Sequence, residues 1–230
     1  MRNSFVLEVV LAALTVCMSS AARADYVITI TESGTSNTYT QTVTGGKGSV
    51  NTTVGDYSVM ISTKDSAPGI NPALQAFSIS QTTLTVSAAS VPLGNLVITV
   101  SDNSFDGSLN TYENTTIINK LAATEIDAGQ VSSYGFYNAN TTDKLILNAL
   151  SAGSVASEST SRIVPTEAGA TFTLGNTSII GGLDGNGYTD AFTVTTLVPV
   201  PLPATIVLCL TGLPFLVLLG WRWRSVMASC

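Results

Sequence analysis

The sequence predicts an all-β chain folded as an antiparallel β-sandwich, and three observations predict it. Apolar and polar residues alternate with a period of two over many short stretches. Thr, Val, Ile and Tyr dominate those stretches, because β-branched and aromatic side chains suit a pleated, half-buried surface. Clusters of Gly with Asn, Asp or Pro interrupt them at short intervals, as hairpin corners require. The predicted sandwich occupies residues 25–197 of the 230, between an N-terminal signal peptide at 1–24 and a tail at 198–225 that contains a transmembrane segment at 205–220.

The first element carries Arg2, an apolar run from Val9 to Val16, and Ala22-Arg23-Ala24 just before Asp25. A basic start, an apolar core and small residues at the end make a secretory signal peptide. Ala22 and Ala24 are its cleavage determinants, and the expected partners are the Sec translocon and signal peptidase. Cys17 is a poor lipoprotein cysteine, since Val16 precedes it where such signals carry a small residue.

The strands follow. In YVITITE from Tyr26, the residues Tyr26, Ile28 and Ile30 share one face and Val27, Thr29 and Thr31 the other. The same pattern recurs in NTYTQTVT from Asn37, DYSVMIST from Asp56, AFSIS from Ala76, TLTVSA from Thr83, NLVITVSD from Asn95, ATFTLG from Ala170 and DAFTVTTL from Asp190. Corners are expected at Gly45–Gly48, Val54–Asp56, Ala67–Gly69 and Gly181–Gly187. In NTTIINKLAATEID, from Asn114 to Asp127, Ile117, Ile118 and Leu121 have helical spacing, but the β-branched run Thr115 to Ile118 favours a strand. No repeat of solenoid period is present.

Composition excludes much chemistry. The chain has no histidine and three cysteines, Cys17, Cys209 and Cys230, all outside 25–197. Serine and cysteine nucleophiles that need an imidazole base, and imidazole or thiolate zinc sites, are therefore excluded. A domain without disulfides must be stable through packing. The stretch 25–197 holds five basic and fourteen acidic residues, a net of −9 within a chain of net −6. That balance offers no footprint for nucleic acid. The carboxylate pairs Asp102 with Asp106, and Glu125 with Asp127, have the chemistry of a glycosidase acid and base. Solvated loop carboxylates are the plainer reading, and the predicted domain has no tryptophan to stack a sugar. Asp184, Asn186 and Asp190 in LDGNGYTD are oxygen donors among glycines, a weak calcium candidate that lacks the distal glutamate of a calcium loop. A hairpin turn explains them better, so no metal and no cofactor is expected. The triplets at Asn51, Asn114, Asn140 and Asn176 are chance occurrences in a Thr-rich chain.

Thr205 to Gly220 is almost wholly apolar, and a helix of that length reaches about 24 Å, short of a roughly 30 Å hydrocarbon core. Arg222 and Arg224 act as a cytoplasmic stop, placing residues 25–197 on the far side, and Trp221 and Trp223 suit headgroup depth. In front stand Val200, Pro201, Leu202, Pro203 and Ala204. This order resembles the PEP-CTERM sorting signal of bacterial exported proteins in its VPLPA variant, with Leu202 where the commoner form has glutamate. LGNLVITVSDNSFDG and the stretch leading into the tail also look like the β-rich ectodomains that carry such signals. The resemblance implies a substrate of an exosortase, which recognises Val200–Ala204 and removes the tail. The expected product is a non-enzymatic protein of the cell surface or extracellular matrix, associated with biofilm or exopolysaccharide. A polysaccharide-binding module, permanently anchored in the membrane, is the alternative, with Tyr112, Tyr134 and Tyr137 as stacking rings.

Overall fold

The alternation read from the sequence becomes twelve strands among the described residues of a computed structural model. Those residues are 25–66, 76–88, 90–105, 114–150, 154–165, 170–183 and 188–199. The strands are β1 (Tyr26–Glu32), β2 (Thr38–Val43), β3 (Lys47–Val54), β4 (Tyr57–Ser66), β5 (Ala76–Ala88), β6 (Leu96–Phe105), β7 (Asn114–Tyr137), β8 (Asn140–Thr141), β9 (Leu145–Leu150), β10 (Ala156–Pro165), β11 (Phe172–Gly181) and β12 (Tyr188–Pro199).

Hydrogen bonding links them in the order β2-β1-β6-β11-β7-β12-β5-β4-β3, with β8, β9 and β10 also on β7. Every pairing is antiparallel. β7 creates the sandwich. Its first part pairs with β12 and β10, and its second part, from Gln130, pairs with β11, β9 and β8. Between them Gly129 takes φ +80°, and a Cβ there would collide with the backbone of Gly181 and Gly182. Only glycine accepts both the left-handed backbone and the close approach. The network therefore divides at this bend into two layers, β2-β1-β6-β11 and β5-β4-β3 with β12, each extended by one part of β7.

The layers meet over the core. Tyr26, Ile28 and Ile30 of β1, Leu96, Ile98 and Val100 of β6, and Val59, Ile61, Ile79 and Val86 of β4 and β5 are fully buried. Polar bridges cross between the layers. The Tyr26 hydroxyl lies 2.6 Å from the Thr63 hydroxyl on β4, and Asn176 Nδ2 of β11 donates to the Ile79 carbonyl of β5 at 3.1 Å. One edge is stitched as well. Arg162 of β10 donates to the Thr141 carbonyl at 2.7 Å, and Glu158 accepts the Ile146 N–H of β9 at 3.2 Å.

The structure adjusts several expectations. Asn114 to Asp127 is strand, as the β-branched run predicts, but it belongs to a strand of 24 residues. AFSIS and TLTVSA are one strand, β5, since the residues between them keep pairing with β4 and β12. Lys47 and Gly48 are not part of a corner. Gly45 and Gly46, at φ +83° and +78°, make the turn, and Lys47 already pairs with Lys64. No helix among the described residues is long and apolar enough to cross a membrane.

Candidate functional site

The outer face of β3, β4 and β5 carries a shallow trough of about 530 Å³, lined by Lys47, Ser49, Ser62, Lys64, Ser80 and Thr82 together with Gly48 and Thr63. Alternation produces it. On β4, Tyr57, Val59, Ile61 and Thr63 are buried inward, so Ser62 and Lys64 must face outward. Register then aligns them across strands, because Lys47 pairs with Lys64 and Ser49 with Ser62. Lys64 in turn pairs with Ser80, and Ser62 with Thr82.

The lysine row continues. Ser80 pairs with Thr195 of β12, Thr195 with Lys120 of β7, and Lys120 with Ser159 of β10. Three of the five basic residues of 25–197 thus share one cross-strand row. With strands about 4.8 Å apart, Lys47 and Lys64 are neighbours and Lys120 lies roughly 14 Å further along. Like charges directly opposite each other weaken a strand pair. The Lys47–Lys64 pairing is therefore a local cost in a domain that is acidic elsewhere. Ammonium groups beside hydroxyls can bind hydroxyl and carboxylate oxygens, but they form no nucleophile–base pair.

The structure separates the other candidates. Tyr137 is 2% exposed and stacks on Phe172 at 4.7 Å between ring centroids, so it is a core residue and not a stacking platform for sugar. Tyr134 is half-buried on β7, and Tyr112 lies outside the described residues. Asp102 is buried at 1% exposure, which excludes it as a solvated loop carboxylate, while Asp106 lies outside the described residues. Glu125 and Asp127 lie within β7. Asp190 belongs to β12, opposite Thr85 and Glu125, and Asp184 and Asn186 lie outside the described residues. Asn176 is fully buried and cannot carry a glycan. The signal residues Ala22 and Ala24, the motif Val200–Ala204, and Arg222 and Arg224 all lie outside the described residues.

A second polar cluster lies at the corner joining β1, β4 and the start of β6. Glu32 is buried, and its Oε2 accepts Asn37 Nδ2 at 2.9 Å. Tyr57 donates to the Gly94 carbonyl at 2.8 Å. Burial raises the Tyr57 pKa above its ordinary value, and the Glu32 charge raises it further. These bonds tie the corner together.

No protein-family model and no curated protein matches the chain. Among solved structures, it is similar to the enzymatically active domain of bacteriophage CBA120 tailspike protein 4, at TM-score 0.30 and 11% identity over 67% of this chain, and spans only 19% of that one. Carbohydrate-binding modules of the β-sandwich superfamily with promiscuous specificity match at TM-score 0.29 and 12% identity, covering 75% of this chain and 72% of theirs. A protein of infectious bursal disease virus, Gx strain, matches at TM-score 0.35 and 12% identity, covering 75% of this chain and 56% of that one. The described residues form an all-β, antiparallel, sandwich-like domain.

Proposed function

We propose that this is a non-enzymatic exported protein of the cell surface or extracellular matrix, delivered through its signal peptide and released when an exosortase removes its tail. One observation carries the reading: Val200-Pro201-Leu202-Pro203-Ala204 stands directly before an apolar segment that ends at Arg222 and Arg224. Pro201 and Pro203 carry no amide donor, which disfavours regular helix or sheet pairing across the motif and leaves it suited to recognition by a protease. The apolar segment holds that motif at the membrane surface, and the arginines stop transfer. Pro201→Ala/Pro203→Ala in the native host tests it. The doubly substituted chain accumulates in the membrane at full precursor mass while the parent chain is released. Equal release of both would overturn the reading.

The trough favours a second reading, in which the domain binds an acidic polysaccharide along the row of Lys47, Lys64 and Lys120. A carboxylated glycan, with its charges spaced among hydroxyls, suits sparse ammoniums set among hydroxyls better than DNA, which carries one charge per about 1.7 Å. Lys47→Ala/Lys64→Ala lowers retention on immobilised polyuronate and removes its salt dependence. Retention unchanged by both substitutions would eliminate the trough.

A further inference from the structure

β2 stands at one end of the strand order and pairs with β1 alone among the described residues. Its other side presents a row of backbone groups outside any ladder, and such a row is a template for another strand. The β1–β2 ladder shows which groups these are. The Glu32 N–H donates to the Asn37 carbonyl at 3.1 Å, so these two residues form a hydrogen-bonded pair, and such pairs alternate along an antiparallel ladder. Ile30 with Tyr39 and Ile28 with Gln41 are therefore hydrogen-bonded pairs, whereas Thr31 with Thr38, Thr29 with Thr40 and Val27 with Thr42 are not. The N–H and C=O of Thr38, Thr40 and Thr42 thus point away from β1, toward the open edge.

Sheets usually protect their edges with charge, proline, a bulge or a covering group, and the other edges here are protected in these ways. β3 begins at the exposed Lys47. β10 carries Glu158 and Arg162 and ends at Pro165. On β9, the Glu158 carboxylate takes the Ile146 N–H at 3.2 Å. β2 has none of these devices. From Ser33 to Gly46 there is no charged residue and no proline, and the register with β1 runs without a shift from Thr38 to Val43. A second copy of this acidic domain that approaches along β2 meets no like charge on the strand.

We propose that β2 pairs antiparallel with β2 of a second copy, in a two-fold dimer centred on Thr40. The strand is self-complementary in that register. Thr40 faces Thr40 and Thr38 faces Thr42, all positions whose backbone groups point to the open edge, so about six hydrogen bonds form. The faces match as well. Thr38, Thr40 and Thr42 are exposed on the outer face, while Tyr39, Gln41 and Val43 turn toward the core. Threonines therefore meet threonines, a favourable cross-strand pair. Tyr39 meets Gln41, and these side chains already bond within one chain at 3.0 Å. A slip of one residue would set threonines against Tyr39 and Gln41 and lose the match of faces. The contact uses the same patch on both copies, so it closes as a dimer. The layer β11-β6-β1-β2 then runs through the two-fold into its copy. The edge is independent of the sorting signal and of the trough.

Sedimentation of the full chain in mild detergent tests the proposal, and a dimer that dissociates on dilution is expected. Thr40→Pro removes the central donor. Because that N–H faces away from β1, Tm should stay near that of the parent while the dimer weakens at least about tenfold. Gln41→Pro, which loses an N–H bonded to β1, should instead destabilise the fold itself. Thr40→Lys sets a charge against its own copy and should also weaken the dimer at least about tenfold; it keeps the test decisive if the proline disturbs the strand. With Cys17, Cys209 and Cys230 replaced by serine, Thr40→Cys should cross-link to itself on mild oxidation. The Cα atoms of a hydrogen-bonded pair lie about 5.5 Å apart, within reach of a disulfide. Thr99→Cys, on β6 inside the same layer, should not cross-link. A monomer at every attainable concentration, or a dimer unchanged by Thr40→Lys, would overturn the proposal.

Discussion

Gly55→Ala probes the corner that locks β1 against the β3–β4 hairpin. Val54 pairs with Tyr57, so Gly55 and Asp56 form a two-residue turn, and Gly55 takes φ +58°. An alanine there meets two penalties. The first is the left-handed backbone, about 1–2 kcal/mol, offset in part by the lower entropy of the unfolded alanine chain. The second is steric. The new methyl would overlap Glu32 Oε2 and lie 2.8 Å from Asn37 Nδ2, the two partners of a buried hydrogen bond. Displacing a bond to a charged group costs about 1.5–3 kcal/mol. Gly45→Ala isolates the first penalty, since Gly45 has φ +83° with nothing within 4 Å of its added methyl. Urea unfolding should therefore place Gly55→Ala about 2 kcal/mol below Gly45→Ala, or roughly 4–8 °C lower in Tm for a domain of this size. Equal losses for the two variants would refute the packing of Glu32 against the turn.

Three further outcomes follow from the same structure. Tyr57 has a raised pKa, so its neutral form stabilises the fold at pH values below the unfolded value of 10.0, and that stability is lost as pH climbs through the raised folded value. Urea midpoints between about pH 9 and pH 11 should fall less steeply for Tyr57→Phe, and equal slopes would remove Tyr57 from the alkaline transition. Ile98→Ala, at a fully buried site in β6, should cost about 3 kcal/mol, whereas Leu93→Ala, 86% exposed, should stay within about 0.5 kcal/mol, both by denaturant unfolding. Tyr26→Phe removes a hydroxyl 2.6 Å from that of Thr63 and should cost about 1 kcal/mol; rescue by simultaneous Thr63→Val would mark the pair as coupled.

Strand faces were the most legible feature. YVITITE matches β1 from end to end, and its buried apolar set is the predicted Tyr26, Ile28 and Ile30, with Glu32 buried on the same face. Polar strands were hidden. β10 reads ASESTSRIVP and leaves most of its residues exposed at an edge, so it lacks the apolar alternation that reveals a half-buried strand. β3 is masked by its glycine and its Asn-Thr-Thr run, although Val50 and Val54 keep the inward spacing. The bend in β7 rests on Gly129, and its close approach to Gly181 and Gly182 is a long-range fact that no local pattern encodes. Sites followed the same logic. The lysine row requires register across five strands, so Lys47, Lys64 and Lys120 look scattered in sequence. Asp102 was visible as a carboxylate, but its burial and its unpartnered oxygen belong to the packing.

Intact mass spectrometry with terminal peptide mapping, on protein recovered separately from the membranes and the medium of its native host, decides whether the tail is removed. A released product that starts at Asp25 and ends close to Pro203 is expected. A membrane-bound product that still carries Trp221 to Cys230, with no released form, would contradict removal of the tail and leave a permanent anchor in its place.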